Sequence, residues 1–294
     1  MQETPVSTTL HSAVRPAPHG LDPDPPAQVI RPTNRRVRIS DLWRTWSVTR
    51  EIATRDFKSK YKQSVLGPLW LLIQPAALLL AFTVVFGGVT DAETFGIPYP
   101  VFALAGLTVW LYFQACFTAG TNSMVVNITL VRRTNCPRIA FPTAALITAL
   151  PILALTFVIT TVVAIAAGHA PDLQFLLMPV GIAWLMLLTW AVSVLLATIT
   201  ARFRDIMYLL PLVLQTGMFV SPIGYSAQEA DGWIRLVLAL NPLTGLVEAW
   251  RWIALPDVPI DEFYVFASVA WTLVLTIAAW RVFVREEPTM ADYV

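Results

Sequence analysis

The 294-residue sequence is poor in charged residues, cysteine and histidine, and each shortage excludes a class of protein. Only 13% of the residues are charged, about half of the roughly 25% in an ordinary soluble domain, so a soluble globular fold is not expected. Two cysteines and three widely separated histidines predict no disulfide and no metal site. A net charge of +1 indicates no basic surface for nucleic acid. By contrast, 56% of the residues are hydrophobic.

The few charged residues leave six long uncharged windows between them. A transmembrane helix needs about 20 apolar residues, with a range of roughly 17–25, and each window reaches that length. The sequence therefore predicts an all-α membrane protein with six transmembrane helices. The windows cover residues 63–90, 94–131, 139–171, 173–201, 206–228 and 263–280.

The distribution of Lys and Arg predicts the orientation of the chain, because cytoplasmic segments carry an excess of these residues. With both termini in the cytoplasm, 18 of the 20 basic residues lie inside, and Arg235 and Arg251 lie outside. We therefore predict a multi-pass protein of the cytoplasmic (inner) membrane with both termini cytoplasmic. Residues 1–40 are rich in proline and are predicted to form a disordered cytoplasmic tail, and residues 286–294 a short cytoplasmic tail.

Residues 41–62 predict an amphipathic helix that lies in the membrane interface before the first span. On a helical wheel, Trp46 and Phe57 share an apolar side with other large residues, whereas Arg55 and Lys58 lie opposite. The alternative interpretation is a basic cluster that only sets the topology, with incidental amphipathicity.

The six windows contain no Asp, Glu, Lys or Arg, and their one histidine, His169, lies near an end. Transport coupled to ions usually needs charged side chains inside the membrane, and a membrane enzyme needs carboxylates or an activated nucleophile. The chain also lacks the G-x-x-x-x-G-K-[ST] phosphate loop. No catalytic residue and no cofactor are predicted on this chain, so energy for any transport must come from another polypeptide.

Four motifs occur in order along residues 41–285. They are the run RDFKSKYKQSVLGPLW at 55–70 followed by Gln74-Pro75, then RFRDI at 202–206, SPI at 221–223, and NPLT at 241–244 with Glu248 and Arg251. Together they resemble the permease subunits of type 2 ABC exporters for polysaccharides and polyol phosphates, a family that exports O-antigen, capsule and teichoic acid.

The resemblance implies a six-span transmembrane domain at residues 63–285, a homodimer with a channel between its two copies, and two copies of an ABC ATPase subunit. ATP and Mg would bind to that partner, and the substrate would be a lipid-linked polysaccharide in contact with membrane lipid. One alternative keeps the fold but exports a small hydrophobic compound or drug. Another is a membrane transferase or ATP-independent flippase, for which the windows lack the required charged groups.

The resemblance also implies where the ATPase makes contact. The loop at residues 130–138 would form the main coupling helix in the ATPase cleft, and the interfacial helix would make the second contact. A topological role alone would also explain the arginines in this loop. The candidate coupling residues are Leu130, Arg132, Arg133, Asn135, Pro137, Arg138, Arg55 and Lys58.

The segment at residues 222–262 is too long for a tight turn and contains an apolar stretch too short to span. The resemblance implies a pair of short re-entrant helices that close the outer mouth of the channel. Glu248 and Arg251 are three residues apart and could pair on one helix face, either for structure or to meet substrate. The candidate outer-gate residues are Pro222, Asn241, Pro242, Glu248 and Arg251.

Aromatic side chains are candidate substrate contacts, because sugar rings stack on flat side chains. One set shares a face of the second span at positions i, i+3 and i+7, and another marks the fifth span and its outer end. Membrane belts and helix packing are alternative explanations for both sets. The candidates are Trp110, Phe113, Phe117, Tyr208, Phe219 and Tyr225.

Overall fold

The computed structural model describes residues 45–62, 66–87, 94–133 and 136–290. Within these ranges the chain forms ten α-helices, three short 3-10 helices and no strand, which confirms the all-α class. The predicted tail at residues 1–40 lies outside the described residues. The helices are α1 Trp46–Tyr61, α2 Trp70–Phe86, α3 Tyr99–Val126, α4 Ile128–Arg133, α5 Ala140–Ala166, α6 Met178–Arg202, α7 Ile206–Val220, α8 Gly232–Leu240, α9 Pro242–Ala254 and α10 Glu262–Glu286.

Four helices of the described chain are long and apolar enough to cross a membrane. They are α3, α5, α10, and α6 together with the 3-10 turn before it. The helices in the predicted first and fifth windows, α2 and α7, are apolar but have only 17 and 15 residues, at and just below the usual minimum. The multi-pass membrane architecture is therefore confirmed, and the count of six spans stays a prediction.

Proline explains why α7 is shorter than its window. The residue before a proline avoids helical geometry, and Ser221 before Pro222 has ψ of 138° and ends the helix. The rest of the window, residues 222–228, turns back into the bundle. Pro75 and Pro211 lie inside α2 and α7, where each removes one backbone hydrogen bond.

Helix α3 is the centre of the bundle and contacts α5, α6 and α9. It is the most buried of the four long apolar helices, and Phe102, Leu107 and Tyr112 on it are fully buried. Small residues permit a close approach to α6, because a Cβ built on Gly120 would lie 2.6 Å from Cβ of Ser193. Such contacts are typical of helices packed within membranes.

Helix α1 packs against α5. Its buried stripe consists of Thr45, Thr49, Ile52 and Ala53. This stripe lies roughly a quarter turn around the helix from the centre of the predicted apolar side. Trp46 therefore remains exposed on the flank next to the stripe. The helix thus has three faces, one against the protein, one apolar and one charged. Its interfacial position stays a prediction.

Candidate functional site

At the corner between α3 and α4, Asn127 contacts Arg55 of α1, which is one of the predicted coupling residues. Asn127 is the C-cap of α3, and its side-chain oxygen accepts a hydrogen bond from Nη2 of Arg55 at 2.5 Å. The amide nitrogen of Asn127 donates to the Ser123 carbonyl at 2.8 Å, and Arg55 also pairs with Asp56 at 2.7 Å. We call this group, Arg55, Asn127 and helix α4, the coupling corner.

The other predicted coupling residues differ in their surroundings. Leu130 packs against an apolar cluster that also contains Ile52 of α1 and Phe141 of α5. Arg138 donates a hydrogen bond to the Glu287 carbonyl after α10. Lys58 is exposed and Pro137 is half-buried. Arg132 and Arg133 form the end of α4, and Asn135 lies outside the described residues.

An ion pair lies at the other end of α3, between Glu248 and Arg251 of α9. The two side chains are 3.2 Å apart and are 1% and 0% exposed. Arg251 donates to the carbonyls of Ile223 at 2.6 Å and Tyr225 at 3.1 Å, and its guanidinium lies 3.7 Å from the centre of the Phe102 ring. An isolated buried charge would be costly, and these contacts offset that cost.

The Glu248 carboxylate holds the adjoining segment. It accepts hydrogen bonds from the backbone N–H of Ala227 at 3.3 Å and from Nε2 of Gln228 at 3.2 Å. Burial lowers the pKa of Arg251 to about 10, while Glu248 opposes this shift, so the guanidinium is charged at neutral pH. We call Glu248, Arg251 and residues 223–228 the buried ion-pair cluster. Its contacts within the chain favour the structural role over contact with substrate.

Two motifs that are distant in sequence meet beside this cluster. The Asn241 side chain caps α9 by accepting from the N–H of Leu243 at 3.0 Å, and it donates to Oγ of Ser221 at 2.9 Å. Pro222 is buried next to this contact, and the Pro242 carbonyl accepts a hydrogen bond from Ser268 of α10. Short helices α8 and α9 thus occupy the predicted outer segment, with 9 and 13 residues.

The six aromatic candidates do not gather at one place. Trp110, Phe113 and Phe117 are buried in the core, with ring centres 6.0 and 5.4 Å apart along the helix. Tyr208 is 83% exposed on α7. Phe219 is also exposed. The hydroxyl of Tyr225 donates a hydrogen bond to the Val220 carbonyl. Contact with substrate stays a prediction for all six.

Sequence reasoning missed two features of α3. The first is Asn127. Its amide side chain lies near the end of an apolar window, and this position is typical of a helix terminus. Gln114, Thr118 and Asn122 recur at intervals of four and therefore share one face. The structure places this polar row on clefts rather than in the core.

The fold and these clusters define a polytopic membrane protein with an organised corner at one end of its central helix and a buried ion pair at the other. Residues 48–255 match the family described as ABC-2 type transporter, and the chain belongs to that family. This match confirms the resemblance drawn from the four motifs.

Several curated proteins are similar to most of the chain. The O-antigen export system permease protein RfbA of Myxococcus xanthus is 26% identical over 257 residues, which cover 86% of this chain and 98% of that protein. A protein of the same name from Klebsiella pneumoniae is 25% identical, covering 79% of this chain and 89% of its own length. The polysialic acid transport protein KpsM of Escherichia coli is 24% identical, covering 81% and 93%.

Proposed function

We propose that this chain is the membrane-spanning permease subunit of an ATP-driven ABC exporter that moves a lipid-linked polysaccharide across the cytoplasmic membrane. The observation that carries the proposal is the near full-length similarity to permeases named for O-antigen export and to a polysialic acid transport protein. The absence of Asp, Glu, Lys and Arg from the six apolar windows supports an energy source on another chain.

The geometry of α3 supports a mechanism in which motion passes through a rigid helix. An ATPase docked at the coupling corner would displace Asn127 and, through Arg55, helix α1. A 28-residue helix is about 42 Å long, and the first turn of α3, at the end away from Asn127, places Phe102 against Arg251. Displacement of the coupling corner would therefore reach the buried ion-pair cluster, which closes the outer side of the channel.

Two copies of this chain and two copies of the ATPase would form the exporter. Helices α2 and α7 contact the rest of the chain less than α3 does and expose large apolar side chains such as Leu80 and Leu212. In a bilayer, such faces meet lipid or another helix. Both termini and the coupling corner would face the cytoplasm, and α8 and α9 would be re-entrant from the outside.

The function is tested by depleting the chain in its host and extracting lipid-linked glycans. A polysaccharide on its lipid carrier should accumulate on the cytoplasmic side, and co-expression with the partner ATPase should yield a complex with two copies of each chain. Normal surface polysaccharide after depletion, with altered efflux of a hydrophobic compound, would support the drug exporter instead. Recovery of a monomer without ATPase would contradict the architecture.

Replacing Arg132 and Arg133 with alanine should lower export and the coupled ATP hydrolysis by about threefold to tenfold, equivalent to losing one or two exposed charge contacts with the ATPase. Export assays and ATPase assays on membranes measure the effect. The matched control replaces Arg281 and Arg285, two exposed arginines near the end of α10, which removes the same charge elsewhere. Equal effects of the two double variants would mean that the loop arginines serve topology alone.

A further inference from the structure

A row of polar side chains on α3 faces open clefts instead of the core. We call Gln114, Thr118 and Asn122 the polar row, because their spacing places them on one face of the helix. Thr118 lines three adjoining clefts of about 230, 420 and 480 Å³. Gln114 lines the 230 Å³ and 480 Å³ clefts. Asn122 lines the 420 Å³ and 480 Å³ clefts.

The opposite walls of these clefts are also partly polar. The smallest cleft is lined by Lys60 of α1 and by Gln74 and Trp70 of α2. The largest is lined by Gln215 of α7, together with methionines of the same helix. Five helices, α1, α2, α3, α5 and α7, thus contribute to a surface on which amide and hydroxyl groups occur among apolar side chains.

Two acceptors in the polar row have no partner in the described part of the chain. These are Oε1 of Gln114 and Oδ1 of Asn122, and both atoms are buried from solvent. Helix α3 crosses the membrane, where lipid tails cannot form hydrogen bonds and an unsatisfied polar group is costly. Water, a bound ligand or a neighbouring chain must therefore satisfy them when the protein works.

The chemistry of the row fits a sugar. Amide side chains both donate and accept hydrogen bonds, as does the Thr118 hydroxyl, and sugar hydroxyls need both kinds of partner. Among the residues that line the three clefts, Asp56 is the one carboxylate and Lys60 the one cation. The polar groups on this mixed surface are mainly neutral, which suits a polyhydroxylated chain better than an ion.

We propose that Gln114, Thr118 and Asn122 form the track on α3 that hydrogen-bonds the sugar hydroxyls of the polysaccharide during export. This inference rests on the proposed function and adds the residues that touch the cargo. The track lies roughly a third of a turn around α3 from Trp110, Phe113 and Phe117. The glycan therefore passes the polar face of the helix, while the aromatic face packs the bundle.

Water access to the row is tested with cysteine labelling in membranes that contain the permease and its ATPase. Thr118→Cys is made in a Cys136→Ser background, in which the remaining Cys116 is fully buried. A cationic, water-soluble methanethiosulfonate reagent should modify Thr118→Cys rapidly. Val158→Cys, on the exposed apolar face of α5, is the control and should react at least tenfold more slowly. Equal, slow reaction at both positions would overturn the proposal.

Contact with the glycan is tested with apolar replacements of similar size, Gln114→Met, Thr118→Val and Asn122→Leu. The triple variant should export at about one tenth of the normal rate, since each lost hydrogen bond contributes modestly. Membrane insertion, dimer formation and ATPase binding should be unchanged. Thr161→Val is the matched control, because this hydroxyl bonds its own helix at the Phe157 carbonyl, and export should stay normal.

The outcomes separate this inference from the proposed function. If depletion of the wild-type chain accumulates a lipid-linked glycan but the triple variant exports normally, the track is wrong and the function stands. If the triple variant loses its dimer, the row binds the second copy, and the track is again wrong. Thr118→Val alone provides a milder variant if the triple variant does not insert. If depletion accumulates no glycan, the proposed function itself fails.

Discussion

Replacing Arg251 with methionine should lower the free energy of unfolding by about 3–5 kcal/mol, because it leaves the Glu248 carboxylate buried without its cation. The change also removes the hydrogen bonds to the Ile223 and Tyr225 carbonyls. Thermal unfolding of the protein in detergent should show a midpoint lower by about 6–20 °C, at roughly 2–4 °C for each kcal/mol in a chain of this size.

Two further variants isolate the cause of this loss. Arg235→Met makes the same change in an ion pair of similar length, 2.9 Å to Asp261, but Arg235 is 43% exposed, so the loss should stay within about 1 kcal/mol. The double variant Glu248→Leu with Arg251→Met removes both buried charges and should recover part of the stability. An Arg251→Met protein as stable as Arg235→Met would contradict the structural role of the buried ion pair.

The Glu248–Arg251 pair also illustrates what a sequence can predict. A separation of three residues on a helix allows the two charges to meet, and the structure contains that pair at 3.2 Å. The carbonyls of Ile223 and Tyr225 could not be predicted as partners, because they lie more than twenty residues away. Their position depends on how Ser221-Pro222 ends α7 and returns the chain to α9.

The spacing of residues along the sequence could not predict which face of α3 meets the proposed pathway. Regular spacing groups Trp110, Phe113 and Phe117 on one side and Gln114, Thr118 and Asn122 on another. Spacing alone does not say which side packs against neighbouring helices. Only the tertiary contacts place the aromatic rings in the core and the polar row on the clefts. The long apolar windows, by contrast, located the four long apolar helices and the shorter α2 and α7 of the described chain, because length and hydropathy depend on local sequence alone.

The contact between α3 and α6 supports the proposed role of α3 as a rigid connection. Gly120 faces Ser193 so closely that a Cβ on the glycine would lie 2.6 Å from both Cβ and Oγ of that serine. The Ser193 hydroxyl also donates to the Cys116 carbonyl one turn earlier. We expect two helices held at such a small separation to move together, so that a displacement at Asn127 would move α6 as well.

Gly120→Leu should therefore separate α3 from α6 and destabilise the protein by about 3 kcal/mol, near the upper end for an overpacked core. The measured quantity is again the midpoint of thermal unfolding, expected to fall by roughly 6–12 °C. Export by the purified complex in vesicles should be lost as well, because α3 no longer transmits motion to the outer side.

Neighbouring positions provide the controls for this variant. Ala119→Leu adds the same side chain at an adjacent position that is exposed, and it should leave stability nearly unchanged. The smaller change Gly120→Ala should cost less than Gly120→Leu, and Ser193→Gly in the same chain should restore the lost stability, because it removes the atoms that the new Cβ meets. Additive effects of Gly120→Ala and Ser193→Gly would mean that the two helices do not meet at this point, and the rigid connection would lose its basis.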